Sequence, residues 1–165
     1  MVAIRNYCDD DAERVGQLIA DTYSKFNLSF VPSDERSLFL GPFQHAGSHE
    51  EAHKEAIARV VRAAMVLVAE DNGEIVGVLR GRHDKLQSLF VRGDCHRQGV
   101  GRRLVERFEQ ECEQQGSAEI KVQATLYAVP FYLAMGYKRT TGIRSMRSFE
   151  GVGLDYQPMK KVLDR

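Results

Sequence analysis

The chain has 165 residues, which points to a single domain, 1–165, able to bury about two thirds of its unfolded surface. Its 23 Lys and Arg balance 23 Asp and Glu, so no global field draws it to nucleic acid or an anionic membrane, and any bound anion needs a local site. The longest apolar stretch, residues 63–69, is far short of the roughly 20 residues of a spanning helix. MVAIRNYCDD has no apolar signal core, and the chain reads as soluble and cytoplasmic. Cys8, Cys95 and Cys112 are odd in number and lack CxxC spacing. They read as free thiols in a reducing compartment rather than a disulfide framework or a zinc cluster.

Residues 2–7 alternate enough for a first strand. Asp10 with Glu13 three residues later predicts a capped helix start, and Val15, Leu18, Ile19, Tyr23 and Phe26 fall on one face of that helix. Residues 27–47, with Pro32, Pro42, Gly41 and Gly47, read as a long irregular connection, a feature that is often functional. Ser48 and Glu51 predict a second capping box opening a helix to about Arg62. Residues 65–69 and 75–79 are β-rich runs around Asp71-Asn72-Gly73, and Asn-Gly supplies the two positive φ angles of a type I′ hairpin turn.

A third strand, 85–91, leads into HRQGVG at 96–101. From Val100 the period turns helical, with Val100, Leu104, Val105, Phe108 and Cys112 on one face and Gly116 as the stop. Residues 120–124 alternate as a strand, a short helix spans 129–135 before Gly136, and 156–163 form a last strand in which Pro158 suggests a sheet edge.

Strand, glycine bend and helix is an arrangement in which unpaired N–H groups at a helix start converge on an anion. Glycine there lets a phosphate approach the amides, and His96, Arg97 and Arg102 supplement the helix dipole. The bend predicts a phosphate or pyrophosphate ligand; the alternative is a turn that merely eases the chain from strand to helix. Neither GxxxxGK[ST] nor GxGxxG is present.

LFVRGDCHRQGVGRRLVERFEQEC resembles the central motif of the GCN5-related N-acetyltransferases, and TLYAVPFYLAMGY resembles that family's NxxAxxFYxxxGF segment. The resemblance implies an α/β fold: a mixed, mostly antiparallel sheet flanked by helices, with a splayed central strand pair forming a coenzyme A cleft. It implies acetyl-CoA as cofactor, with Leu89, Phe90 and Val91 along the pantetheine arm. The pyrophosphate would meet His96, Arg97, Gln98, Gly99, Val100, Gly101 and Arg102. Three departures stand out: His96 replaces the usual Gln or Arg, Gly93 a frequent proline, and Thr125 a common Asn that would touch the cofactor. The implied reaction is direct attack of a primary amine on the thioester. Tyr132 matches the tyrosine that many members direct at the sulfur, and Asp84, with His83 beside it, is the sequence's candidate for a base acting through water.

His49-Glu50-Glu51-Ala52-His53 satisfies HExxH, the zinc-peptidase signature, but overlaps a helix start and has no evident third ligand. His49 and His53 are instead expected to line the acceptor pocket or the core, with no metal. A non-catalytic acyl-CoA sensor is the other alternative. The acceptor is a small-molecule or peptide amine that the sequence leaves unidentified, and a homodimer stays open. Arg139, Arg144 and Arg147 read as a solvated basic segment.

Overall fold

A computed structural model describes residues 1–146, of Met146 the backbone alone, and 154–163. Its strands are β1 (Val2–Asn6), β2 (Met65–Asp71), β3 (Glu74–Arg82), β4 (Lys85–Val91), β5 (Glu119–Thr125), β6 (Lys138–Arg139), β7 (Arg144–Met146) and β8 (Leu154–Val162). Its helices are α1 (Ala12–Thr22), α2 (Ser37–Leu40), α3 (Glu51–Val61), α4 (Val100–Gln114) and α5 (Val129–Ala134). The sheet runs β1-β2-β3-β4-β5-β8-β6, with β7 also on β8. Neighbours are antiparallel except β4 and β5, which are parallel.

Each sheet face carries its own core. On one, Leu104, Val105 and Phe108 of α4 pack with Val129 and Tyr132 of α5 over Leu79, Leu86 and Val122. On the other, Val15, Leu18 and Ile19 of α1 pack with Ile57 and Val61 of α3 over Val68, Val78 and Phe90. The α4 face comes very close to β3: a Cβ on Gly81 would lie 2.6 Å from the buried Phe108 ring and 2.8 Å from the Lys85 carbonyl.

Several local expectations hold, because turn chemistry is local. Asn72 and Gly73 have φ of 52° and 80°, as a type I′ turn requires, and Gly116 and Gly136 end their helices at φ 87° and 93°. The caps differ from the sequence reading. The Asp11 carboxylate, not that of Glu13, accepts the backbone N–H of Cys8 (2.9 Å), so the chain turns one residue pair earlier through a 3₁₀ turn. Asp11 is also gripped by Arg5, which holds its carboxyl well below the usual range. Ser48 does not cap α3; its hydroxyl takes the N–H of Glu50 (3.2 Å) and bonds His53 Nδ1 (2.8 Å).

The 27–47 connection contains short helical turns: Ser33–Glu35, α2 and Gly41–His45. Pro158 is not at an edge, since β8 has β5 on one side and β6 and β7 on the other. The Pro158 carbonyl accepts Thr140 N–H, so its missing N–H faces the gap between the two short outer strands, where no ladder bond is lost. Arg139 and Arg144 are exposed, and Arg147 lies outside the described residues.

The β3–β4 register positions the site. Arg80 opposes Ser88 and Gly81 opposes Leu86, which leaves Gln87 as an extra residue on β4. Such a bulge bends its strand and inverts the alternation of side chains. Leu86 before it and Leu89 and Val91 after it therefore all meet the α4 face, although regular pleating would separate Leu86 from Leu89. Pairing of β4 with β5 covers Lys85–Lys121 and Leu86–Val122, and stops at the bulge.

Gly81→Ala is expected to destabilise the protein by about 1–3 kcal/mol through overpacking against Phe108. Gly142→Ala, where a Cβ meets nothing within 4 Å, should stay within about 0.5 kcal/mol. Denaturant midpoints of the two variants check the contrast.

Candidate active site

Beyond the bulge, β4 and β5 diverge into a cleft of about 760 Å³. It is lined from both sides of the sheet: Val100, Phe131 and Tyr132 belong to the α4 and α5 side, Thr22, Tyr23 and Phe26 to the α1 side. The opening thus passes through the sheet, so two molecules can reach it from opposite faces.

The Arg92 N–H bonds Val76 on β3 (2.8 Å). By the alternation of an antiparallel ladder, Leu89 and Val91 turn their N–H and C=O groups the other way, into the cleft. Both groups of Leu89 and the N–H of Val91 offer an extended ligand a strand edge, while the Val91 carbonyl is met by His96 Nε2. At the bend, Gly99 is the residue before α4, with φ 81° and ψ 7°, a left-handed conformation natural to glycine. Arg97 also has a positive φ, 63°. The first amides of α4, from Val100 to Arg102, have no partner within the helix. A Cβ built on Gly99 meets nothing within 4 Å, so open space lies beside these donors. Gly101 is tighter, its virtual Cβ 3.4 Å from the Phe131 ring. Exposed amides, a helix dipole and nearby Arg97 and Arg102 fit a diphosphate.

Tyr132 lines the cleft from α5 and is 4 % exposed. Burial raises its pKa, which makes it a poor acid and leaves it a hydrogen-bond donor. Its ring meets Tyr137 edge on, with centroids 5.5 Å apart. The Tyr137 hydroxyl donates to Glu109 Oε2 (2.9 Å), and Lys161 Nζ donates to Glu109 Oε1 (3.0 Å). This buried anchor ties α4, β8 and the end of α5 together behind Tyr132.

Of the residues expected from sequence, Leu89, Phe90, Val91, His96, Arg97, Gly99, Val100, Gly101, Arg102, Thr125 and Tyr132 all line the cleft. Gln98 does not; its side chain donates to the Asp94 carbonyl (2.9 Å). The His96 imidazole does not face the amides of the bend: Nε2 lies 2.7 Å from the Val91 carbonyl and the ring packs on Phe26, with centroids 4.5 Å apart. Asp84 and His83 lie in the turn at the far end of β4 and are not among the lining residues; the Asp84 carbonyl accepts Lys121 N–H, and His83 sits against Ser117.

His49 and His53 are likewise away from this cleft, on the α3 side of the molecule, where His53 stacks on His45 at 3.8 Å. His49 precedes α3, so the two do not project from successive turns of one helix as HExxH needs. Among the described residues no group of three or more His, Cys, Asp or Glu is arranged to hold a metal ion.

Sequence reasoning missed the π-helical turn Tyr23–Asn27 that continues α1. It crosses the cleft mouth: Phe26 packs between His96 and Tyr127, and Asn27 Nδ2 donates to Thr125 Oγ1 (2.6 Å). Gly93, where proline was expected, makes room for it, because a Cβ there would lie 2.9 Å from Phe26 Cζ. The apolar face of α1 runs on through Tyr23 and Phe26, so the helical period alone does not mark the change to a π turn.

Residues 19–163 match the model of the acetyltransferase (GNAT) domain family. Solved structures share the fold. A GCN5-related N-acetyltransferase from Rhodopseudomonas palustris superposes with TM-score 0.78 at 21 % identity, over 98 % of this chain and 95 % of that one. The PaiA N-acetyltransferase of Thermoplasma acidophilum, in complex with coenzyme A, gives 0.73 at 15 % identity over 99 % of each chain. The ribosomal-protein-S18-alanine N-acetyltransferase of Escherichia coli gives 0.64 at 18 % identity, over 100 % of this chain and 96 % of that one. No curated protein sequence matches the chain. With a domain model spanning most of its length and a through-sheet cleft ending in an anion-ready bend, the chain belongs to the GNAT family and is an acetyl-CoA-dependent N-acetyltransferase.

Proposed function

We propose that this chain transfers acetyl to a primary amine by direct attack within the cleft between β4 and β5. The observation that carries the reading is two sets of backbone donors facing one cleft, the N–H groups of Leu89 and Val91 and those of the first turn of α4, with Tyr132 lining the same cleft. When bound, acetyl-CoA supplies a thioester carbonyl open to a neutral amine and a thiolate that departs.

The residues divide the work by chemistry. The amides of Val100, Gly101 and Arg102, with Arg97 nearby, hold the diphosphate, and the edges of Leu89 and Val91 hold the amide-bearing arm. Tyr132 stabilises the departing sulfur by a hydrogen bond. A tyrosine is a weaker acid than a thiol even before burial, so full proton transfer ahead of departure runs uphill by about 2 kcal/mol. The Glu109–Tyr137 bond holds the ring against which Tyr132 packs. Asp84 is left out of this scheme because it sits at the other end of β4. Thr125, bonded to Asn27, lines the α1 side of the cleft rather than its phosphate end.

The test is amine-dependent release of free thiol from acetyl-CoA; a sensor that only binds the coenzyme would release none. Tyr132→Phe should lower kcat about 100-fold and leave coenzyme A affinity within about twofold by calorimetry. Equal loss of both would show that the tyrosine only builds the cleft. Gly99→Ala, which forces a side chain into a left-handed conformation, should cost about 1–2 kcal/mol of stability. It should also weaken coenzyme A at least tenfold, with kcat at saturation little changed.

A further inference from the structure

Charge is distributed unevenly over the cleft. The phosphate end has Arg97 and Arg102, and at its rim Lys25 lies over the Phe26 ring at 5.3 Å. The half facing α1, where an acceptor would enter, is lined by neutral polar groups: Thr22, Asn27, Ser88, Gln123 and Thr125. Gln123 and Thr125 point to that side because Ile120, Val122 and Ala124 alternate with them into the α4 core.

Behind Ser88 stands Arg80. Its Nη1 donates to Ser88 Oγ (3.2 Å), Nε to the Val61 carbonyl (2.9 Å), and Nη2 to the Val60 carbonyl. Burial pulls the Arg80 pKa down, and the carbonyls at the end of α3 offset this cation with partial charge. Among the described residues lining the cleft there is no Asp or Glu. The other titratable groups there are His96, bonded to the Val91 carbonyl, Cys95, and Tyr23, Tyr127 and Tyr132.

We infer that the acceptor is a weakly basic amine that enters neutral, such as a peptide α-amine or an aryl amine, on a molecule without further cationic groups. This rests on the acetyl-transfer reading. Among the described residues the acceptor half offers an ammonium ion no counter-charge, so it favours the free base from solution. At pH 7 about 1 in 7 α-amines is neutral, against about 1 in 2,500 lysine ε-amines. A polyamine finds no counter-charge among these lining residues for any of its ammonium groups.

Four acceptors test this: a peptide with a free α-amine and acetylated lysine, the same peptide with the two reversed, 4-methylaniline, and spermidine. Mass detection of product and calorimetric binding to the enzyme–coenzyme A complex are both read. At pH 7 the α-amine peptide or the aryl amine should exceed the ε-amine peptide at least 30-fold in kcat/KM, with no binding of spermidine. The better weak base should level off above its own pKa while the ε-amine rate keeps rising about tenfold per pH unit. Gln123→Glu, which places a carboxylate in the acceptor half, should narrow the gap at least tenfold. A preference for the ε-amine or spermidine at pH 7 overturns the inference, as does a ratio untouched by Gln123→Glu. Coenzyme binding with no acetylation of any of the four overturns the acetyl-transfer reading itself.

Discussion

One extra residue on β4 makes the site possible. Where Gln87 has no partner on β3, the strand bends and its hydrogen bonds to β5 end after two residues on each strand. A regular parallel pair would have used the backbone groups of Leu89 and Val91 in a ladder and left a closed sheet. Instead those groups face the cleft, where only the Val91 carbonyl is met by a side chain, that of His96, among the described residues, and the strand delivers the chain to Gly99 and the start of α4. Unpaired strand edges are usually a liability. Here the splayed edge lies inside the sheet, flanked by α1 and α5, and is open to a ligand but sheltered from other strands.

The bulge also explains why the cleft has two chemical characters. By inverting the alternation it sends Leu89 and Val91 to the α4 face and Phe90 to the α1 face, where its ring meets Tyr23 edge on at 5.8 Å. The α4 side then combines apolar walls with helix amides and arginines, suited to a long anionic cofactor. The α1 side is neutral and aromatic, with the π-helical turn laid across its mouth. An insertion that shifts the register of a helix and one that shifts the register of a strand thus meet at the same place, as such irregularities often do at functional sites.

Much of this was legible in sequence, but unevenly. The hairpin, the glycine bend, α4 and its stop depend on neighbours within a few residues, so turn residues and apolar period place them well. The bulge left a trace, since Leu86 and Leu89 are both apolar three apart in a strand that should alternate, yet the trace means nothing without the partner strand. Asp84 and His83 were attractive through nearness in sequence to the motif strand, and a strand of seven residues carries its two ends well apart. His49 and His53 fit a helical pattern whose true start, at Glu51, excludes one of them. Thr22, Phe26 and Asn27 were hidden because the end of α1 and its π turn, far from the motif in sequence, bring them to the cleft.

Coenzyme A is proposed to lie along the free edge of β4 with its diphosphate on the first turn of α4. Amide hydrogen exchange with and without coenzyme A tests it residue by residue. Exchange should slow at Leu89, Val91 and the amides from Val100 to Arg102, with little change in β1 and β2. Saturating coenzyme that leaves those amides as fast as before, or protects a different surface, would place the cofactor elsewhere.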